Sequence, residues 1–416
     1  MLSLNSFAAN GTDNLGRIDY DLDDNGLIEI NDLADLDEIR NNLDGKTLYG
    51  SNIGCPNAED GTINGGCIGF ELTTDLDFDT NGNGEIDAGD EYRNITPEGI
   101  AEGWLPIGGG SSGYFSAHFN GNGHAIKNLT INRPQTYYIG LFGYINNSVI
   151  ENVVIAGANS EITGGYNVAA LVGYASNAQI RNVVVAANVQ GNDYVAGLIG
   201  QAYSETHIRN SLVSGSVSGD RYVAGLVGKA SASNSNSKNT IIQSLSTSFV
   251  VGNSSVGGLI SYSYNTNIIN SYWAKDVSGQ AYSSGSLEAN SYVGLNLSTL
   301  QCAKAENTNF TTGCVSADGS AEGLGAAVVL YNDWDPAVWD FGTAPNADQQ
   351  LPGLKLNGKV FRDSDGDGLL DVDDASPFDH DNDGVIDIID GYPFIAIGDL
   401  ADQDSDGVPN ECDQDC

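Results

Sequence analysis

The sequence predicts an all-β chain built as a right-handed parallel β-helix, on three observations. First, a four-residue signature recurs five times: Gly140-Leu141-Phe142-Gly143, Ala170-Leu171-Val172-Gly173, Gly197-Leu198-Ile199-Gly200, Gly225-Leu226-Val227-Gly228 and Gly258-Leu259-Ile260-Ser261. The steps between copies are 30, 27, 28 and 33 residues. Second, an Ile-led signature alternates with it, at Ile126-Lys127-Asn128, Ile150-Glu151-Asn152, Ile180-Arg181-Asn182, Ile208-Arg209-Asn210, Ile241-Ile242-Gln243 and Ile268-Ile269-Asn270. Third, 53 Gly stand against 10 Pro and one Met, a profile of many turns rather than packed helices. Between the short Val/Ile/Leu runs there is no room for a helix of about 10–12 residues, which excludes βαβ units. A period of this length with short strands is a stack of coils.

Each coil can be read from its residues. The repeated Leu and Ile fill the interior, and Gly permits corners with positive φ. Asn182 and Asn210 recur at one point of the coil, where their amides can bond from coil to coil as a ladder. Five or six coils at a strand spacing of about 4.8 Å make a rod on the order of 25–30 Å long. The right hand is the default for such a coil. The longest step contains Ser231-Ala232-Ser233-Asn234-Ser235-Asn236-Ser237, a polar insertion that reads as a surface loop.

Charge divides the chain further. Residues 1–100 hold 22 acids and 4 bases, 101–300 hold 8 of each, and 301–416 hold 25 and 4, together a net charge of −39. This predicts an acidic N-terminal calcium-loop and capping region at 1–100, a solenoid at 101–290, a cap or linker at 291–360 and calcium repeats at 361–416. So acidic a chain repels phosphate, which argues against nucleic-acid partners. No apolar run is long enough to predict membrane insertion.

The acids are ordered. Oxygen side chains at loop positions 1, 3, 5, 9 and 12, with Gly at 6, wrap a hard cation the size of Ca²⁺. Asp363, Asp365, Asp367, Asp371 and Asp374 surround Gly368 in this way. Asp379, Asp381, Asp383, Asp387 and Asp390 surround Gly384, and Asp402, Asp404, Asp406, Asn410 and Asp413 surround Gly407. Near the N-terminus, Asp21, Asp23, Asn25, Glu29 and Asp32 enclose Gly26, followed at helical spacing by Leu33, Leu36, Ile39 and Leu43. A second N-terminal set, Asp79, Asn81, Asn83, Asp87 and Asp90 around Gly84, has fewer carboxylates and should bind more weakly. About five Ca²⁺ ions are expected, and filling five loops would move the charge from −39 to about −29.

These patterns carry three resemblances. The Gly-Leu-apolar-Gly copies over residues 100–280 resemble the GLUG motif of bacterial surface and secreted proteins. The flanking Trp104-Leu105-Pro106-Ile107-Gly108 and Asn270-Ser271-Tyr272-Trp273 agree with that pattern. The resemblance implies a β-solenoid in adhesin-like or matrix-like proteins. Residues 361–416 resemble thrombospondin type 3 repeats, in which Ca²⁺ largely replaces a hydrophobic core. Residues 21–43 are similar to half an EF-hand or dockerin.

Six Cys fall into local pairs, Cys55 with Cys67, Cys302 with Cys314 and Cys412 with Cys416, without zinc spacing. They read as short-range disulfides of an exported protein, extracellular or on a bacterial cell surface. The start at Met1-Leu2-Ser3-Leu4 lacks the basic n-region of a signal peptide. Of four His, His124 reads as a turn residue and His380 as a non-ligand position of a calcium loop. No HExxH or P-loop occurs, and the chain reads as non-enzymatic. Tyr137, Tyr194 and Tyr222 each precede the signature Leu by four residues, a column that reads first as a packing ladder and, as the rival reading, as a glycan-binding strip. The expected function is structural or adhesive, as an adhesin segment or a self-associating filament subunit. The alternatives are a glycan-binding module on the Tyr columns or, more remotely, a β-helix polysaccharide-degrading enzyme.

Overall fold

The structure is a computed structural model that describes residues 17, 19–56, 66–109, 113–281, 291–301, 315–316, 328–331, 333–342, 346, 349–390 and 392–396. These residues form a parallel β-solenoid of about five turns, as the repeat predicts. One coil shows the plan. Gln179–Ala186 lies on a first face, Asn188–Gln190 and Asp193–Ala196 on a second, and Ile199–Tyr203 on a third. The next coil repeats this with His207–Ser214, Ser216–Ser218, Arg221–Ala224 and Val227–Ser231, each paired in parallel with its counterpart. Stacking of such coils gives parallel sheets of thirteen, eight and five strands.

The interior is the column that the first signature predicts: Leu141, Leu171, Leu198, Leu226 and Leu259 are all fully buried. Ile150, Ile180, Ile208, Ile241 and Ile268 likewise stack in register. One member of that series belongs elsewhere. Phe119, not Ile126, pairs with Ile150, while Ile126 pairs with Ile155 further along the same coil. The asparagine ladder is present: Asn152 donates to Asn120 (2.9 Å), Asn182 to Asn152 (3.0 Å) and Asn210 to Asn182 (3.0 Å).

The reason for glycine differs from the expectation. At the ladder corner the positive φ falls on Asn152, Asn182 and Asn210, and beside the second face on Tyr138, Tyr194 and Tyr222. Asn reaches the left-handed region readily because its short polar side chain bonds locally. The last signature glycine instead permits close approach of backbones. A Cβ on Gly200 would lie 2.7 Å from the Tyr194 carbonyl oxygen and 2.7 Å from the Asn167 carbonyl carbon.

The first sheet crosses the division expected at residue 100. Leu27–Ile30 pairs with Gly69–Leu72, which pairs with His118–Asn120 of the first coil. Helix α1, Leu33–Glu38, follows the first acidic loop and continues into a 3₁₀ turn at Ile39–Asn41, burying Leu36 and Ile39 as their spacing predicts. Arg40 lies 4.1 Å from the ring centroid of fully buried Trp104.

Part of the expected cap or linker at 291–360 lies among the described residues. The described residues between 330 and 361 run along the outer side of the first face as a strap. Trp334 donates to the Asn270 carbonyl (2.9 Å) and Trp339 to Asn210 (3.4 Å). An antiparallel hairpin of Gly353–Leu356 and Lys359–Phe361 then reaches the segment stacked before the first coil, where Lys359 lies 3.5 Å from Asp75. Val154, Val184, Leu212 and Leu245, one per coil, form a second apolar cluster with Trp339, Leu354 and Leu370. The second half of each of these first-face strands is therefore buried on both sides, while Gln179, Arg181, His207 and Arg209 stay exposed.

Candidate cation loops

Four of the five predicted loops fall within the described residues; the fifth, with Asp402, Asp404, Asp406, Asn410 and Asp413, lies outside them. The four share one backbone wiring. The position-1 carboxylate accepts from the glycine N–H at position 6: Asp21 from Gly26 (2.8 Å), Asp79 from Gly84 (2.7 Å), Asp363 from Gly368 (2.9 Å) and Asp379 from Gly384 (2.8 Å). Those glycines have φ between 87° and 99°, which explains the residue type. The position-5 oxygen accepts from the N–H two residues on, as Asn25 does from Leu27 (2.7 Å) and Asp367 from Leu369 (2.7 Å). In Asp21, Asp79 and Asp363 the second carboxylate oxygen also accepts a backbone N–H, whereas that of Asp379 accepts none.

Convergence separates the loops. Asp21 with Asp23 and Glu29, Asp363 with Asp365 and Asp367, and Asp379 with Asp381 and Asp383 each bring three carboxylate oxygens within 4.8 Å of one another. These triads can hold a metal ion. The 79–90 loop forms no such triad, having amides at positions 3 and 5, where Asn81 and Asn83 donate to Asp87 (3.1 and 3.0 Å). Those donors and the Gly89 N–H hold Asp87 below the usual carboxylate range. Asp32 caps α1 by accepting from the Asp35 N–H (2.9 Å), so its role at position 12 is shared with helix initiation.

The first loop of the C-terminal pair is the more buried; in the second, Asp379 is buried while Asp381, Asp383, Asp387 and Asp390 are half-buried. Asp363 and Asp365 are fully covered, and Asp379 is 3% exposed. Burial, then the neighbouring Asp363 and Asp367, pushes Asp365 up to about 10. Burial also raises Asp371 to about 6 and Asp387 to about 7. Among the described residues, five carboxylate oxygens are shut off from solvent with no hydrogen-bond partner: one each on Asp374, Asp379, Asp381, Asp387 and Asp390. Four of them occupy positions 1, 3, 9 and 12 of a single loop. A buried acceptor without a partner is costly, and four together require a cation or protons. The two loops also contact each other. Asp379 donates its N–H to Asp365 (3.2 Å), and Asn382 donates to Asp367 (3.0 Å).

Sequence reasoning missed two residues beside the first loop. Glu71, 5% exposed, accepts from Asn25 (3.0 Å) and from Asn122 (2.9 Å), orienting both amides. Arg17 pairs with Glu29 at 3.1 Å and Asp35 at 3.7 Å, supplying positive charge. Their signal is only spatial, since Glu71 is 46 residues from Asn25.

The Tyr column divides in the structure. Tyr137 pairs in register with Tyr166 and stacks on it at 4.8 Å, whereas Tyr194 stacks on Tyr222 at 5.0 Å. The ring planes differ by 10° and 12°, so the faces cover one another. Lys229 lies 5.2 Å from the Tyr194 centroid and 5.9 Å from that of Tyr222. Cys55 and Cys67 form the expected disulfide, with Cα atoms 5.1 Å apart. Cys302, Cys314, Cys412 and Cys416 lie outside the described residues. No helix among the described residues is long and apolar enough to cross a membrane.

No protein-family model matches the chain. It is 29% identical over 147 residues to halomucin of Haloquadratum walsbyi, a match covering 33% of this chain and 2% of that protein. It is 41% identical over 63 residues to a "putative Gly-rich membrane protein" of Evansella cellulosilytica, covering 15% of this chain and 7% of that one. The matches thus span a small fraction of both relatives. Among solved structures, a "putative immunoglobulin A1 protease" from Bacteroides ovatus aligns with 79% of this chain and 92% of its own. The identity is 16% and the TM-score 0.39, so this likeness supports no argument about substrate or mechanism. The expectation of a non-enzymatic chain is nevertheless corrected: a protein similar in structure is described as a protease, and that exclusion is withdrawn.

Proposed function

We propose that this chain is a structural or adhesive element of an extracellular or cell-surface protein, and that Ca²⁺ fills its acidic loops. The reading rests chiefly on one observation: the buried, unpartnered carboxylate oxygens of Asp379, Asp381, Asp387 and Asp390 at four coordinating positions of one loop. A hard divalent cation with oxygen coordination suits that donor set, and no thiol or imidazole competes within the triads. Asp363, Asp365, Asp367, Asp371 and Asp374 would hold a neighbouring ion, and Asp21, Asp23, Asn25 and Glu29 a third. The wiring agrees with the resemblances to thrombospondin type 3 repeats and to an EF-hand or dockerin half. The coil spacing and buried Leu column agree with the GLUG resemblance. Surface placement is supported by the likeness to halomucin and to the protein named as a membrane protein.

The test is calcium titration followed by chelation. At free Ca²⁺ a hundredfold above Kd, each ion stabilises the folded state by about 2.7 kcal/mol. EDTA should lower a thermal transition and open the 361–390 segment to protease. An unchanged transition and unchanged cleavage would refute the calcium reading.

A further inference from the structure

We propose that the cation of the 363–374 loop is a latch that fastens the strap over the outer side of the first face. Its binding and release would cover and uncover an apolar flank of the solenoid. This inference rests on the cation reading above and goes beyond it, because it assigns the ion a mechanical consequence in another part of the fold.

The loop is pressed against the coils. A Cβ on Gly368 would lie 2.7 Å from the Gly215 Cα, and one on Gly366 would lie 3.4 Å from the Thr247 Cβ. Leu370, inside the loop, is 2% exposed and belongs to the flank cluster. Two polar ties hold the loop's rim: Gln301 donates to the Ser364 carbonyl (2.8 Å), and Lys127 pairs with Asp373 (2.7 Å). The conformation that makes these contacts also brings the oxygens of Asp363, Asp365 and Asp367 within 4.8 Å of one another. It further leaves a buried oxygen of Asp374 with no partner. Without a counter-cation, the cost of burying these carboxyl groups together opposes the closed loop at the point of docking. With the ion present, the closed loop is the favoured state and Leu370 is held against the coils.

What the latch covers is extensive. The strap buries Val154, Val184, Leu212 and Leu245 beneath Trp339 and Leu354. On the coils these residues face outward, opposite the interior column, so uncovering them leaves the solenoid's inner packing intact. Chelation therefore does more than loosen a terminal segment: it exposes a stripe of apolar surface running along the rod.

The full chain with its disulfides intact tests this by two independent readouts. Isothermal calorimetry with CaCl₂ reads ion binding. Hydrogen exchange of the 353–361 hairpin, with fluorescence of an apolar-surface dye, reads strap position. Leu370→Ser is the informative variant, because it removes an apolar anchor without touching a coordinating side chain. In the wild type, chelation should accelerate hairpin exchange and raise dye fluorescence several-fold, while Ile199–Tyr203 stays protected. In L370S the hairpin should exchange rapidly even at Ca²⁺ concentrations that protect the wild type, with binding at the 379–390 loop retained. Binding heat with no change at the hairpin on chelation would overturn the latch and leave the cation reading standing. Absence of binding heat would overturn both.

Discussion

The asparagine ladder permits a prediction whose magnitude follows from counted interactions. In Asn182→Ala, two side-chain bonds disappear: the amide donated to Asn152 (3.0 Å) and the one accepted from Asn210 (3.0 Å). Each is worth about 1 kcal/mol net, and both partners are left in partly covered positions where unmade bonds cost at the upper end of that range. Residue 182 also holds φ at 55°, and placing Ala there costs about 1 kcal/mol more. The sum is about 3 kcal/mol. Asn182→Gly separates the two contributions, since Gly tolerates the backbone but makes neither bond, and should cost about 2 kcal/mol. Urea unfolding followed by far-UV circular dichroism measures both, provided the slope of the transition is unchanged. If both variants fall within about 0.5 kcal/mol of the wild type, the ladder contributes nothing and the reasoning fails. If Gly is as harmful as Ala, the backbone term is wrong.

Two further outcomes are expected. Glu151 accepts from His118 (2.6 Å) and pairs with Arg181 (2.6 Å), which hold its carboxyl down to about 2. A depressed folded-state value means stability is fully present above the ordinary glutamate value and lost as pH falls from about 4.5 to about 2. Part of the pair faces solvent, so the loss is on the order of 1–2 kcal/mol. Glu151→Gln should flatten acid unfolding in that window, and an identical acid profile would refute the assignment. Gly200→Ala places a Cβ 2.7 Å from backbone atoms of two neighbouring segments. It should cost at least about 2 kcal/mol in a thermal or urea titration, and a neutral result would mean the coil can widen there.

Much of this fold could be read from the sequence because a solenoid writes its register into its period. The buried Leu column and the ladder at Asn182 and Asn210 follow from repeat alignment alone. Ile126 misled because Ile-Lys-Asn repeats the motif locally, while the position that stacks is Phe119, which matches it in shape but not in identity. The strap was missed although its signal was present. Val183-Val184-Val185 does not alternate, and an unbroken apolar run implies burial on both sides of a strand. What covered the outer side could not be inferred from the coils, because Trp339 lies 129 residues from its partner Asn210. For the loops, ligand spacing located the carboxylates that converge around Asp21, Asp363 and Asp379. Which carboxylate oxygens lack partners depends on burial, and Glu71 reaches the first loop only through folding.

The 33-residue step shows how the coil treats surplus chain. Ile199 and Val227 pair across 28 residues, whereas His207 and Thr240 pair across 33, so the extra length enters between them. It leaves the body at residues 233–236, all exposed, and the strands on either side keep their partners. This corner works as an expansion joint. Sequence can be added there without disturbing the stacking above or below. The same corner in other coils is a place to display a peptide at a fixed height along the rod, so one scaffold could carry several at the pitch of the coils.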